Sequence, residues 1–153
     1  MKANSTPDPA SLRRRALGYL ARREHSRHDL TRKLERAGFE PEAIGPVLDE
    51  FEEKNWLSDK RFAESWVADH RARAGSVKLA HDLRQHGISD DVIEAVMRAN
   101  RDSELERARS VWQKKFGTPA ADAADKARQI RFMLSRGFTT DVIRHALNAP
   151  TGD

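Results

Sequence analysis

Residues 34–39 of the chain read Leu-Glu-Arg-Ala-Gly-Phe, and similar hexapeptides stand at 83–88 (Leu-Arg-Gln-His-Gly-Ile) and 133–138 (Met-Leu-Ser-Arg-Gly-Phe). Their glycines lie 49 and 50 residues apart, a spacing typical of helical repeat proteins. This is the pattern of a Schellman cap: an apolar residue, then glycine four positions later, then a second apolar residue directly after the glycine. In that cap the glycine adopts positive φ and the two apolar side chains touch. Each hexapeptide is therefore predicted to end a helix.

The residues after each glycine also repeat. Isoleucine stands six positions after all three glycines, and further apolar residues stand nine and ten positions after them. This spacing places the apolar side chains on one face of a following helix. Another amphipathic stretch lies upstream of each hexapeptide. The sequence therefore predicts an all-α fold of three tandem three-helix repeats, nine helices in total, built from helix-turn-helix-like units.

The repeat also predicts how the chain is divided. The first residues are polar and contain two prolines, which is typical of a disordered leader. Short polar ends after the last amphipathic stretch are expected to fray. The predicted divisions are a disordered leader (1–10), a first repeat (11–57), a second repeat (58–101), a third repeat (102–148) and a frayed tail (149–153).

Serine residues before amphipathic stretches predict where several helices begin. Ser11 is expected to cap the first helix and Ser76 the fifth, because a serine hydroxyl accepts a hydrogen bond from the first free N–H groups of a helix. Ser103 and Glu106 have the spacing of a capping box, so they are expected to start the seventh helix.

Two helices have starts that the sequence leaves open. Pro46 lies inside the third helix and is expected either to kink it or to delay its regular start. The eighth helix begins either directly at Thr118–Pro119, as cap and first residue, or after a loop over residues 120–124. The predicted buried face of the eighth helix consists of Ala127, Ile130, Met133 and Leu134.

The composition limits what the protein can be. Apolar residues make up 38% and charged residues 34% of the 153 residues, which favours an elongated array of small cores over one compact core. The chain has no cysteine, so disulfides and cysteine-ligated metals are excluded, and a reducing cytoplasm is the expected location. Neither a secretory signal nor an apolar run of membrane-spanning length is recognised, so a soluble protein without a membrane partner is expected.

Charge alternates in phase with the repeat, although the net charge is only +4. Residues 11–36, 60–86 and 107–137 carry nine, six and eight basic residues against three, three and two acidic ones. Residues 37–59 and 87–106 carry seven and six acidic residues against one and two basic ones. Stacked repeats would then present a positive stripe that attracts polyanions or acidic protein surfaces. The alternative is that these charges are only solvated helix faces.

The candidate contact residues are basic side chains from the first two helices of each repeat. Arginine can fork two hydrogen bonds to a carboxylate or a phosphate, so the set suits an acidic protein surface or a nucleic acid. Trp56 is either a base-stacking residue or a packing residue where two repeats meet. The predicted contact set is Arg22, Arg23, Arg27, Arg32, Arg36, Arg71, Arg73, Lys78, Arg84, Arg128 and Arg131.

No motif for catalysis, a cofactor or a metal is recognised. The chain contains neither a phosphate-cradling glycine loop nor a GxSxG turn. His25 and His28 are three residues apart at a predicted helix start, but they lack the carboxylate or cysteine support that a metal site needs. The sequence therefore predicts a protein that is not an enzyme and uses neither cofactor nor metal.

Several motifs resemble those of the RecX family, the regulators of the recombinase RecA. Residues 23–30 (Arg-Glu-His-Ser-Arg-His-Asp-Leu) are similar to the family's REHSrxEL signature, with aspartate where the family usually has glutamate. Residues 57–63 (Leu-Ser-Asp-Lys-Arg-Phe-Ala) are similar to its L-x-D-x-R-F-A motif. The second-repeat pattern is similar over residues 73–88, and a weaker third repeat is present at 136–138. The resemblance covers roughly residues 12–148.

This resemblance implies a curved protein of three repeats that binds in the groove of the RecA filament on single-stranded DNA. It implies inhibition of filament growth, ATP hydrolysis, strand exchange and RecA-stimulated repressor cleavage, and hence a role in recombinational repair and the SOS response. The expected partner is the filament, with weak direct binding to DNA, and the protein is expected to be a monomer. Two rival hypotheses stay open: a nucleic-acid-binding helical module without a recombinase partner, and an inert helical adaptor.

Overall fold

A computed structural model describes residues 8–148, and within that range the chain forms nine α-helices, one 3-10 turn and no strand. The three groups α1–α3, α4–α6 and α7–α9 each enclose their own buried apolar cluster, so we call them the first, second and third repeats. The predicted all-α array of three-helix repeats is confirmed. The helices are α1 (Pro9–Arg22), α2 (Arg27–Arg36), α3 (Pro41–Glu53), α4 (Asp59–His70), α5 (Ser76–Gln85), α6 (Asp90–Asn100), α7 (Glu104–Lys115), α8 (Ala123–Ser135) and α9 (Thr140–Asn148), with the 3-10 turn (Arg101–Ser103) before α7.

All three glycine turns are Schellman caps, as predicted. Gly38, Gly87 and Gly137 have φ values of +101°, +76° and +89°. The N–H of the next residue donates to the carbonyl five positions before it, at 3.1, 3.0 and 3.3 Å in the three copies. Each cap therefore turns the chain from the second helix of a repeat into its third. The buried apolar pairs, all at most 5% exposed, are Leu34 with Phe39, Leu83 with Ile88 and Met133 with Phe138.

The third helix of the first repeat ends in the same way, with asparagine in place of glycine. Asn55 has a φ of +64°, and the N–H of Trp56 donates to the carbonyl of Phe51 at 2.8 Å. The Trp56 ring packs on Phe51 with centroids 5.5 Å apart, although 42% of the residue is exposed. This contact is the apolar pair of a Schellman cap. The structure therefore gives Trp56 a packing role, but within the first repeat and not between two repeats.

An ion pair joins the acidic third helix of the first repeat to its basic first helix. Glu50 accepts from Arg13 and from Lys54, each at 2.8 Å. The hydrogen bonds from Arg13 and Lys54 lower the pKa of Glu50 to about 2. The carboxylate is therefore charged at neutral pH, and Arg13 does not contribute a free positive charge to the surface.

The predicted start of the first helix is wrong. Helix α1 begins at Pro9, and the Asp8 side chain accepts from the N–H of Ser11 at 2.6 Å. Aspartate followed by proline supplies a cap and a first residue with helical φ, so it replaces Ser11 as the start signal. Two residues of the predicted leader are thus helical. Residues 1–7, and all of the predicted frayed tail, lie outside the described residues.

Two other predicted serine caps do not form, for different reasons. Gly75 is the residue before α5, and Ser76 is already its first helical residue. Ser103 stands directly before α7, as predicted, but it also ends the 3-10 turn, and its hydroxyl donates to the carbonyl of Asn100 at 3.2 Å instead of accepting from a helix N–H. The capping box with Glu106 therefore does not form.

The structure decides the two starts that the sequence leaves open. Helix α3 begins at Pro41 and continues through Pro46, so the delayed start is wrong. Helix α8 begins at Ala123, where the Asp122 side chain accepts from the N–H of Asp125 at 2.8 Å. The start after a loop is thus closer to the observed start of α8, and a start at Thr118–Pro119 is wrong.

The predicted buried face of α8 is partly wrong. Ala127 is exposed, and Leu134 is 47% exposed. Gln129 takes a buried position, where its side-chain oxygen accepts from Trp112 Nε1 at 2.9 Å and its amide donates to the Thr118 carbonyl at 3.2 Å. A polar side chain can be buried there because both ends of the amide are hydrogen-bonded.

Candidate functional site

The second helices of the three repeats, α2, α5 and α8, follow one another end to end. The turns that end α5 and α8 each rest on the start of the second helix of the preceding repeat. The Gly87 turn, after α5, lies against His28 in the first turn of α2, and the Gly137 turn, after α8, lies against Lys78 in the first turn of α5. A Cβ on Gly87 would come within 2.3 Å of His28 Cβ, so the absence of a side chain allows the contact. Gly38, at the other end, has nothing within 4 Å.

A carboxylate at the start of one repeat caps the second helix of the repeat before it. Asp59, the first residue of α4, accepts from the N–H of Arg27, the first residue of α2, at 2.8 Å. Glu104, the first residue of α7, accepts from the N–H of Ser76, the first residue of α5, at 2.9 Å. Free N–H groups and the positive end of the helix dipole favour a carboxylate at this place. The same device therefore sets the register at both junctions.

The segment between α1 and α2 is a structural part of the first junction. The Glu24 carboxylate accepts from Arg61 Nε of the second repeat at 2.6 Å. Ser26 is fully buried and caps α2 by accepting from the N–H of Asp29 at 3.1 Å. This signature segment thus positions α2 against the second repeat.

His25, in the same segment, holds Lys33 beside the junction. The ring is only 3% exposed, and burial lowers its pKa, so it is neutral. Nδ1 lies 3.0 Å from the Arg23 carbonyl and must therefore carry the proton. Nε2 then accepts from Lys33 Nζ at 2.8 Å. His25 is therefore a buried structural residue.

A basic cavity of about 390 Å³ opens beside α2 at the first junction. The first repeat supplies four cations to its wall, and α5 of the second repeat supplies the opposite side. Asp29 is the only carboxylate among the described lining residues, and it accepts from His86 Nδ1 at 2.6 Å. The lining residues are Arg23, His25, His28, Asp29, Arg32, Lys33, Arg36, Gln85 and His86.

The positive charge of the basic cavity is not neutralised from within. Arg23, Arg32 and Arg36 form no ion pair with any acidic side chain in residues 8–148. Burial and the nearby charge of Arg23 lower the pKa of Lys33. Like charges gathered in a concave site attract an anion that carries several charges. Guanidinium groups suit carboxylate or phosphate oxygens there.

A second basic surface lies on α1. A shallow cavity of about 380 Å³ is lined by Ser11, Gly18 and Tyr19 together with Arg14, Arg15 and Arg22. Arg22 is thus adjacent in sequence to Arg23 of the basic cavity, but it lines the cavity on α1 instead. Arg27, by contrast, is bound within its own repeat, since its guanidinium contacts Asp49 at 2.8 Å and Glu52 at 2.6 Å.

The predicted contact residues of the second repeat are dispersed. Lys78 and Arg84 each face an aspartate of their own repeat, at 3.6 and 3.3 Å. Arg71 donates to a side-chain oxygen on α6 at 3.2 Å, and Arg73 is exposed. None of these four residues lines the basic cavity.

The two candidates of the third repeat lie on α8, away from the basic cavity. Arg128 pairs with Asp125 at 2.6 Å and lies 5.2 Å from the centre of the Phe116 ring. Arg131 is exposed and makes no ion pair with the described part of the chain. The structure therefore gathers Arg23, Arg32 and Arg36 and separates the other predicted residues from them.

Arg107 is an important residue that the sequence pattern does not single out. One of its terminal nitrogens donates to the carbonyls of Arg71 and Ala74 at 3.0 and 3.1 Å, and the other donates to the carbonyl of Asn100 at 3.4 Å. Burial lowers the pKa of Arg107. Its partners lie up to 36 residues away in the sequence. No local signal therefore distinguishes Arg107 from a solvated arginine.

Replacing Arg107 with methionine is expected to lower the free energy of unfolding by about 2 kcal/mol, because three carbonyls lose a charged donor. Arg107→Lys is expected to recover only part of that loss, since an ammonium group cannot reach all three carbonyls in the same fork. Urea denaturation measures both. The control is Lys114→Met on the exposed side of α7, expected to change stability by less than about 0.5 kcal/mol. Equal effects of Arg107→Met and Lys114→Met would contradict the role of Arg107.

Other kinds of site are not indicated in the part of the chain that the structure describes. Within residues 8–148, no three His, Asp or Glu side chains are arranged to hold a metal ion. A helix long and apolar enough to cross a lipid bilayer is also missing from this range. The basic cavity is therefore the main candidate site.

Models of known protein domains match almost the whole chain. Residues 13–51 match the first three-helix domain of RecX, residues 58–97 match the second, and residues 102–147 match the third. The three matches correspond to the three repeats of the structure.

Curated proteins named regulatory protein RecX are similar over most of their length. The protein of Ralstonia nicotianae is 45% identical over 135 residues, which cover 88% of this chain and 85% of the relative. The protein of Herminiimonas arsenicoxydans is 43% identical over 139 residues, which cover 91% and 92%.

Solved structures show the same fold. The crystal structure of RecX from Lactobacillus salivarius superposes with a TM-score of 0.80 at 19% identity, covering 90% of this chain and 93% of that one. A second crystal structure, of regulatory protein RecX, gives a TM-score of 0.75 at 18% identity, covering 95% and 81%.

Proposed function

Because the chain belongs to the RecX family of regulatory proteins, we propose that it regulates a RecA-type recombinase by binding the filament that this recombinase forms on single-stranded DNA. The proposed result is inhibition of filament growth, ATP hydrolysis, strand exchange and repressor cleavage, in the cytoplasm and without catalysis by the chain itself. The protein acts as a monomer. Through this inhibition it modulates recombinational repair and the SOS response.

The observation that supports this proposal most directly is the basic cavity. Three arginines there have no acidic partner within residues 8–148, so their charge is available to a partner. A nucleoprotein filament offers phosphates and acidic side chains close together, and guanidinium groups bind either. The tandem repeats add length, so neighbouring subunits of a filament can be contacted at once.

The same cavity also fits a simpler function, direct binding of nucleic acid without a recombinase. Cations that neutralise phosphates account for most non-specific binding to DNA, and that binding falls steeply with salt. The two functions differ in the bait that they prefer. A filament regulator needs protein and DNA together, whereas a plain nucleic-acid binder needs only the DNA.

A pull-down with two baits tests the proposal. One bait is immobilised single-stranded DNA, and the other is the same DNA covered with the recombinase and a slowly hydrolysed ATP analogue. At about 0.15 M salt we expect binding to the filament to be at least about tenfold tighter than binding to bare DNA, because isolated phosphate contacts are screened. Equal binding would support the nucleic-acid binder, and binding to neither bait would support an inert adaptor.

A further inference from the structure

The two junctions between repeats differ in whether hydrogen bonds join the main chain of one repeat to the main chain of the next. At the second junction the N–H of Gly75 donates to the Arg136 carbonyl at 2.8 Å, and the N–H of Val77 donates to the Gly137 carbonyl at 2.9 Å. A Cβ on Gly75 would lie 2.6 Å from the Gly137 oxygen and from Phe138 Cα. The second and third repeats therefore meet backbone against backbone.

The chain connection at the second junction is also short. Helix α6 ends at Asn100, and the 3-10 turn leads directly into α7 at Glu104. Arg107 then binds carbonyls at the end of α6 and in the loop after α4. Motion between these two repeats would break the two backbone bonds and the arginine contacts together. We therefore expect the second and third repeats to move as one rigid body.

Side chains hold the first junction. Among the described residues, no backbone-to-backbone hydrogen bond joins the first repeat to the second. The polar contacts are the Asp59 cap on α2 at 2.8 Å, the pair of Glu24 with Arg61 at 2.6 Å, and the pair of Asp29 with His86 at 2.6 Å. These side chains are partly exposed, so water and salt compete for them.

Packing at the first junction is also incomplete. The basic cavity lies on it, and a further cavity of about 350 Å³ lies beside it, lined by residues of α4 and of the segment before α2. Trp66 lines this cavity, and its Nε1 is buried without a hydrogen-bond partner in residues 8–148. Because these clefts are open to solvent, the two repeats share less packed surface here, and a change in the angle between them breaks fewer contacts.

We propose that the first repeat moves as a unit against the rigid pair formed by the second and third repeats, with the hinge in residues 54–58. The basic cavity has Arg32 and Arg36 on one side of this junction and Gln85 and His86 on the other. Hinge motion therefore changes its width. A polyanion that contacts both sides holds the cavity closed. That last step rests on the proposed function, whereas the motion itself is a property of the free protein.

The chain offers matched positions for a measurement, because it has no native cysteine. Glu42, Asp91 and Asp141 each stand four residues after a turn glycine, near the start of a third helix, and all are exposed. Spin labels on Glu42→Cys with Asp91→Cys report on the first junction, and labels on Asp91→Cys with Asp141→Cys report on the second. In the free protein we expect the distance distribution across the first junction to be about twice as wide as that across the second.

Added salt and single substitutions test further whether the two distance distributions differ in width. At 1 M salt the screening length falls to about 3 Å, so the 42–91 distribution is expected to widen further while the 91–141 distribution stays unchanged. Glu24→Gln is expected to widen the 42–91 distribution. The control Glu104→Gln removes a charge from the second junction and is expected to leave the 91–141 distribution unchanged, since the backbone bonds remain.

The outcomes separate this proposal from the proposed function. Equal widths at both junctions in the free protein would overturn the hinge, whatever the pull-down shows. Addition of recombinase filament is expected to narrow the 42–91 distribution. A filament that binds in the pull-down but leaves that distribution unchanged would overturn the closing of the cavity on its partner.

Discussion

Replacing Gly137 with alanine is expected to lower the free energy of unfolding by about 3 kcal/mol. About 1 kcal/mol of this loss comes from the φ of +89°, which penalises any Cβ. About 2 kcal/mol comes from steric overlap, because the new Cβ would lie 2.5 Å from the Lys78 nitrogen and 2.9 Å from its Cα. These are backbone atoms of a helix, so only a shift of the whole junction relieves the overlap.

Two other glycines separate the contributions to this effect. Gly38 has a φ of +101° but open space around it, so Gly38→Ala is expected to cost only about 1 kcal/mol. Gly18 lies inside α1 with nothing within 4 Å and no positive φ, so Gly18→Ala is expected to stabilise the protein by about 0.5–1 kcal/mol. One substitution type thus gives three different results at three positions.

Urea and thermal denaturation measure all three variants. For a chain of this size, a loss of about 3 kcal/mol corresponds to a fall in Tm of roughly 6–12 °C. If Gly137→Ala destabilised the protein no more than Gly38→Ala, the backbone contact between the second and third repeats would have no energetic weight. The rigid pair on which the hinge depends would then lose its main support.

These glycines show which part of the fold the sequence can predict. The Schellman cap has all its partners within six residues, so the pattern of Leu34, Gly38 and Phe39 is sufficient to predict it. The second role of Gly87 and Gly137, close contact with another repeat, depends on how the repeats stack. That stacking places together residues distant in the sequence, and a single sequence carries no record of it.

The two serine caps that do not form have the same origin. Serine favours several positions near a helix start, so Ser76 and Ser103 are plausible caps when only local sequence is considered. In the folded chain, the N–H of Ser76 is already bound by Glu104 from the next repeat. The 3-10 turn places Ser103 in a helical backbone conformation, so its hydroxyl turns to a carbonyl instead. Tertiary contacts therefore override the local preference.

For the candidate site, the sequence predicts which helices are basic but not which of their residues form the site. Charge counting identifies the first two helices of each repeat as basic, and the basic cavity is built from such a helix. It does not distinguish Arg27 from Arg32, because the acidic partners of Arg27 lie on α3, up to 25 residues away. Lys33 and His86 escape prediction because their roles depend on contacts with His25 and with Asp29.

Reversing the charge of Arg23, Arg32 and Arg36 together, each to glutamate, is expected to weaken binding to the recombinase filament by about 100-fold or more. Each reversal replaces an attraction by a repulsion and costs at least about 1 kcal/mol, and about 3 kcal/mol corresponds to that factor. Inhibition of the DNA-dependent ATPase is expected to disappear in parallel. The three side chains are exposed, so the helical content measured by circular dichroism is expected to stay unchanged.

The matched control reverses Lys78, Arg84 and Arg128, which produces the same change in net charge. These residues belong to the same predicted set, but each already faces an aspartate and none lines the basic cavity. The control is therefore expected to weaken filament binding by less than about tenfold, through long-range electrostatics alone. Equal losses in the two triple variants would show that net charge, and not the basic cavity, determines binding.

The salt dependence of the two triple variants identifies what the cavity holds. If its three arginines contact phosphates, the cavity variant loses about two units of slope in a plot of log affinity against log salt on single-stranded DNA, since each phosphate contact contributes about 0.7. If they contact acidic side chains of the recombinase, the slope on bare DNA stays unchanged while filament binding falls. The control variant keeps the wild-type slope in the first case, because its cations are paired within the chain. The salt slope on bare DNA therefore distinguishes the two cases: reversing the three arginines lowers it if they contact phosphates and leaves it unchanged if they contact protein.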